Sequence, residues 1–104
     1  MQAVLRNDFL TLTVDTHGAE AVSLKNDAGE EVLWQADPEV WPRHAPILFP
    51  WTGELPGSSY SHKGRTYHVV KQGFARDVEH TLVQADENAI VLEQIGRASC
   101  RERV

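Results

Sequence analysis

A chain of 104 residues with a net charge of −5, 41% hydrophobic and 24% charged, has the make-up of one soluble domain or part of one. It has no basic cluster, which argues against nucleic acid as a partner, and no apolar run approaches membrane-spanning length. Met1-Gln2-Ala3-Val4-Leu5-Arg6 lacks the charged-then-apolar pattern of a signal sequence, and the lone Cys100 rules out an internal disulfide, which fits a reducing cytoplasm.

In chain order, short stretches of period-two alternation are separated by turn residues. Leu10, Leu12 and Val14 alternate with Thr11, Thr13 and Asp15, which predicts a half-buried strand between the turns Asn7-Asp8 and Asp15-Thr16-His17-Gly18. Ala19–Lys25 reads as the next strand, with Val22 and Leu24 inward, and Asn26-Asp27-Ala28-Gly29 turns the chain into a further strand at Glu30–Gln35. Asp37-Pro38-Glu39-Val40-Trp41 suits one helical turn, because proline fits a first helical position.

All five prolines lie between Pro38 and Pro56, interleaved with Trp41, Phe49 and Trp51. Each fixes its own φ, removes a donor and pushes its predecessor to an extended conformation, so this segment is neither helix nor central strand. It is too apolar for a solvated linker. It reads as a stiff wall against the body of the protein, either lining a groove or simply closing the core. Beyond the Gly57-Ser58-Ser59 loop, Tyr60-Ser61-His62 and Arg65-Thr66-Tyr67 flank Lys63-Gly64, the pattern of a tight hairpin with Tyr60 opposite Tyr67. Val78–Gln84 and Ala89–Glu93 form a last hairpin around Asp86-Glu87-Asn88. The fold class is all-β and antiparallel.

The final ten residues, Ile95–Val104, break this pattern: alternation stops, and three arginines arrive with the cysteine. They back-translate to ATC GGA AGA GCG TCG TGT AGG GAA AGA GTG, which resembles a common sequencing adapter in one frame, and a CAG codon for Gln94 would continue that match upstream. Residues 95–104 are therefore expected to be a non-native tail, and residues 1–94 the start of a longer domain. Without the tail, the chain carries 7 basic and 14 acidic residues (10 − 3 and 15 − 1), for a net charge of −7.

The residue chemistry narrows the site. There is no His-x-x-x-His or Cys-x-x-Cys spacing for zinc, no serine-nucleophile elbow and no glycine-rich phosphate loop. His62 and His68 do not face each other in the hairpin register, and Asp15-Thr16-His17 reads as solvated turn surface. Asp77 and Glu79 would share a strand face, a pairing able to do acid/base work but more simply an exposed sheet surface. Arg43 and Arg76 are different, because a guanidinium among apolar residues needs a partner. That partner is either a carboxylate (Asp77 or Glu54) or an oxygen-rich ligand such as a sugar or sugar phosphate. Trp41 and Trp51 would suit the apolar faces of a sugar ring and suit a core equally well.

Trp34-Gln35-Ala36-Asp37-Pro38, then Trp41-Pro42-Arg43-His44-Ala45-Pro46-Ile47-Leu48-Phe49-Pro50 with Gly53, then Gly73-Phe74-Ala75-Arg76-Asp77 resemble the aldose 1-epimerase (galactose mutarotase-like) family, most closely its LacX-type branch. The resemblance runs over residues 9–94. It implies a large antiparallel β-sandwich of which this chain is the N-terminal third or so. It also implies interconversion of the α and β anomers of an aldose or sugar phosphate by acid/base ring opening, with no metal or organic cofactor. The family's catalytic histidine and glutamate fall beyond Gln94, so the resemblance implies no catalytic residue here and an inactive isolated fragment. Arg43, Gln72 and Arg76 take substrate-contacting positions. Gln72 stands where the family has a histidine; it keeps hydrogen-bonding capacity but cannot accept a proton near neutral pH. The alternative is a non-catalytic carbohydrate-binding module of the same fold.

Overall fold

The computed structural model describes residues 1–94, and the expected tail at 95–104 lies outside the described residues. Among the described residues, seven strands form three antiparallel sheets. The first sheet holds β1 (Gln2–Arg6), β2 (Leu10–Asp15) and β3 (Glu20–Asn26) in the order β1-β2-β3. β4 (Ser59–His62) pairs with β5 (Arg65–His68), and β6 (Thr81–Ala85) with β7 (Ile90–Glu93). The helical content among the described residues is two single 3-10 turns, Pro56–Ser58 and Ala75–Asp77, together with the turn at Asp37–Trp41, where the amides of Val40 and Trp41 both donate to the Asp37 carbonyl.

Local chemistry accounts for most of these elements. In β2, Val14 is buried and Leu12 half-buried like the threonines beside it, while Leu10, expected on the same face, is exposed; β2 pairs with β3 with one register shift between Thr13 and Val14. The β4–β5 hairpin closes through Lys63 and Gly64, both at positive φ as a two-residue hairpin turn requires. That register sets Tyr60 opposite Tyr67, their rings stacked 5.1 Å apart, and Trp51 packs edge-on against Tyr60.

The structure departs from the sequence expectations in three places. Gln2–Arg6, which carries no alternation signal, is a strand because β2 offers it a free edge, from Gln2 opposite Asp15 to Arg6 opposite Thr11. Glu30–Gln35 pairs with β3 at a single antiparallel bridge, Glu31 with Lys25, where the Asn26 amide donates to the Glu30 carbonyl (3.1 Å) and the Val32 amide to the Leu24 carbonyl (2.9 Å), and does not extend into a strand. Beyond that bridge its side chains take up edge groups of β3 that a backbone ladder would use. The Glu31 carboxylate accepts from the Ser23 hydroxyl (2.5 Å) and the Leu24 amide (2.7 Å), while the Gln35 carboxamide donates to the Val22 carbonyl (2.9 Å). These bonds hold the Glu31 carboxyl below the ordinary carboxylate value, the Ser23 hydroxyl first and the Leu24 amide next. Lastly, β6 begins at Thr81 rather than Val78, because Val78–His80 bonds the β2–β3 turn instead.

The assembly is open. Its radius of gyration is 16.5 Å over extents of 55 × 34 × 17 Å, where a compact chain of this length has about 13 Å. The buried hydrophobic residues are Ala3, Val14 and Ala75, whereas Val32, Trp34, Val40, Trp41, Ile47, Leu48 and Phe49 are exposed. No helix among the described residues is long and apolar enough to cross a membrane.

Candidate functional site

Three segments far apart in sequence meet at one groove: the β2–β3 turn, the proline-rich segment and the turn Ala75–Asp77. The β2–β3 turn docks on the residues that follow Arg76 by main-chain bonds, Gly18 N–H to the Val78 carbonyl (2.7 Å) and His80 N–H to the Thr16 carbonyl (2.9 Å). Gly18, at φ +76, lies so close that a Cβ would stand 2.5 Å from the Arg76 carbonyl oxygen. Thr16, expected to be solvated, is instead the most buried polar residue described, at 1% exposure. Its hydroxyl contacts the Met1 carbonyl (3.0 Å) and the Glu79 carboxylate, partners that only the tertiary fold brings to the turn.

The proline-rich segment is placed by two further contacts. Phe49 and Gly73 form a parallel bridge, the Ala75 amide donates to the Phe49 carbonyl (3.3 Å), and the Phe49 and Phe74 rings meet edge to face at 6.1 Å. Gly73 is at φ +80, and a Cβ there would overlap the Phe49 carbonyl. The two motifs that carry the family resemblance are thus spatial neighbours. The second contact joins residues 44 and 45 to Glu20: the His44 and Ala45 amides donate to the same carboxylate oxygen at 2.7 and 3.0 Å.

Asp15, His17, Glu20, Val22, Pro42, Arg43, His44 and Arg76 line the resulting groove of about 400 Å³. Arg43 Nη2 donates to Asp77 Oδ1 at 3.2 Å, while Arg76 Nε stands 3.8 Å from Asp77 Oδ2 and its Nη2 donates to the Lys71 carbonyl (2.9 Å). One carboxylate therefore lies between the two guanidinium groups. The Arg76 Nε is buried without a hydrogen-bond partner in the structure. Histidines aside, the charged side chains of the lining are two acids and two arginines, which balance in formal charge.

The structure brings Arg43 and Arg76 together at this groove, and Gln72 does not line it. Gln72, at φ +67, makes a reciprocal pair with Gly53: its amide donates to the Gly53 carbonyl (2.9 Å), and its side-chain oxygen accepts from the Gly53 amide (2.5 Å). Asp77 and Glu79, expected on one strand face, are separated by the end of the turn. Asp77 serves the arginines, while Glu79 serves Thr16 and lies 4.0 Å from His17. Trp41 is 46% exposed and accepts the Trp34 indole N–H at its carbonyl, whereas Trp51 donates to the Val70 carbonyl beside the tyrosines. Among the described residues no group of three or more His, Cys, Asp or Glu side chains is arranged to hold a metal ion.

Sequence reading missed Glu20 and His44 as members of the site. Pro42 and Pro46 bracket three amide donors with no local ladder, which signals a need for an acceptor without identifying it.

A family model described as Aldose 1-epimerase matches residues 1–94. Two LacX proteins of Lactococcus lactis subsp. lactis, one chromosomal and one from a plasmid, are each 39% identical over 95 residues, covering 86% of this chain and 32% of theirs. The chain superposes on a galactose mutarotase related enzyme from Lactobacillus acidophilus with a TM-score of 0.92 and 36% identity, over 97% of this chain and 34% of that one. A galactose mutarotase-like protein from Lactobacillus casei gives a TM-score of 0.89 and 32% identity, over 96% and 34%. The chain thus spans about a third of the length of the relatives it matches.

Proposed function

The chain belongs to the aldose 1-epimerase family, and from that premise we propose that it is the N-terminal part of an isomerase that interconverts the anomers of an aldose or sugar phosphate. In this reading residues 1–94 contribute the sugar-contacting arginines, and the longer parent supplies the groups that move protons. Residues 95–104 are a non-native tail, and the parent is cytoplasmic.

The observation that carries the reading is the placement of Arg43 and Arg76 on one groove, with Asp77 between them. Planar guanidinium forks present fixed donors to adjacent hydroxyl oxygens of a sugar, and the shared carboxylate limits their freedom before the ligand arrives. Ring opening requires one group to protonate the ring oxygen while another removes the proton of the anomeric hydroxyl; rotation and reclosure then give the other anomer. Arginine does neither at neutral pH. Its task is to hold the ring in place.

The second reading is a carbohydrate-binding module that keeps the groove without turnover. The observation favouring it is Gln72, whose side-chain oxygen already accepts from Gly53 and which cannot take a proton. Anomer exchange in the full-length parent, followed by polarimetry with and without Gln72→His, separates the two. The enzyme reading expects measurable exchange in the wild-type parent, increased on restoring histidine. Retained sugar binding with no exchange in either form selects the module. The reading frame beyond the codon for Gln94 tests the domain assignment directly: it continues into a β-rich segment with a histidine and a glutamate.

A further inference from the structure

We infer that Glu20 is a positioning residue for Arg43, fixing the height of that arginine in the groove through the two amides that follow it. The inference deepens the proposed sugar-handling role and rests on it for its functional consequence, although not for its structural one.

Arg43 sits in a segment with no strand or helix to hold it. On one side, Pro42 fixes its own φ and carries no N–H. On the other, the consecutive amides of His44 and Ala45 point at one atom, Glu20 Oε2, at 2.7 and 3.0 Å, and His44 Nδ1 lies 3.6 Å from the same oxygen. Pro46 then closes the segment. Two of the three N–H groups between the prolines are thus spent on a single acceptor that comes from the first residue of β3, 24 positions before His44. The Glu20 side chain is 12% exposed, so its charge is largely withdrawn from water and needs those donors as much as they need it. The far end of Arg43 is held separately by Asp77. Arg43 is therefore held from two sides: the main chain that follows it is tied to the first sheet by Glu20, and its tip to the 75–77 turn by Asp77. Removing the first anchor leaves the tip tethered to a main chain free to drift.

Because both amides converge on one oxygen, the proposal separates charge from reach. Glu20→Gln keeps a carbonyl oxygen at that distance and loses the charge. Glu20→Asp keeps the charge and retracts the oxygen by one methylene, and Glu20→Ala removes the acceptor. In the full-length parent, the Arg43 Nε–Hε resonance is assigned by its loss in Arg43→Ala and followed in each variant. The expected result is a signal unchanged in Glu20→Gln but shifted or broadened in both Glu20→Asp and Glu20→Ala.

Affinity for an aldose, read by tryptophan fluorescence, should follow the same order. Glu20→Asp and Glu20→Ala should weaken binding by roughly tenfold to a hundredfold, the scale of a misplaced contact group. That loss should vanish when Arg43 is already alanine. An Arg43 resonance indifferent to Glu20→Asp and Glu20→Ala overturns the inference, as does a Glu20 penalty that persists undiminished in the Arg43→Ala background. If the resonance responds as expected but no aldose binds the wild-type parent, the positioning role stands and the sugar-handling role has failed.

Discussion

Gly73 and Gly64 offer a controlled test of what joins the two family motifs. The backbone angles are nearly the same, φ +80 and φ +78, yet a Cβ at Gly64 meets open space while one at Gly73 overlaps the Phe49 carbonyl and crowds the Pro50 nitrogen. At both positions alanine incurs the left-handed penalty of about 1–2 kcal/mol, offset by about 0.4–1 kcal/mol from the narrower unfolded ensemble. These terms cancel in the comparison. At Gly73 alone, backbone must yield to backbone, a strain of about 1–3 kcal/mol by analogy with overpacking. The Ala75-to-Phe49 hydrogen bond, 3.3 Å long, is lost or stretched for about a further 1 kcal/mol. Gly73→Ala should therefore cost about 2–4 kcal/mol more than Gly64→Ala, measured by urea unfolding of the full-length parent followed through tryptophan fluorescence. Equal losses in the two variants would refute the argument that a close main-chain approach, rather than φ, makes glycine necessary at 73.

Two further expectations concern the segment after β3 and the open faces. Glu31→Gln should destabilise the parent near neutral pH. Since the folded carboxyl lies below its ordinary value, the wild type's advantage is complete above the unfolded pKa and disappears as pH falls through the folded one; a difference that stays constant on acidification, seen in paired urea titrations, would contradict this. Residues 1–94 produced alone should self-associate through Trp34, Trp41, Ile47, Leu48 and Phe49, all exposed. Sedimentation velocity giving a concentration-independent monomer with a cooperative unfolding transition would show that the piece covers its own apolar surface.

Much of the fold was legible locally. Alternation at Leu10, Leu12 and Val14, the turn at Asn26–Gly29 and the Lys63-Gly64 dipeptide each specify their element within a few residues, and Tyr60 opposite Tyr67 follows from a two-residue turn by counting outward. The proline cluster likewise argued against helix and central strand for this segment without any long-range information.

Contacts that span long stretches of chain were not legible. Gln2–Arg6 became a strand because β2 had a vacant edge, and residues 30–35 stop at one bridge to β3 because the Glu31 and Gln35 side chains occupy the next edge groups. Thr16 is buried by Glu79, 63 residues away, and Arg43 meets Asp77 across 34. Sequence alone determined most of the short strands and turns and singled out Arg43 and Arg76 as guanidinium groups that need partners, since propensity, alternation and turn geometry act over a few bonds. Which of those residues share a groove, and that Glu20 holds the segment bearing Arg43, was decided only when segments with no local preference for one another satisfied each other's unpaired donors and acceptors.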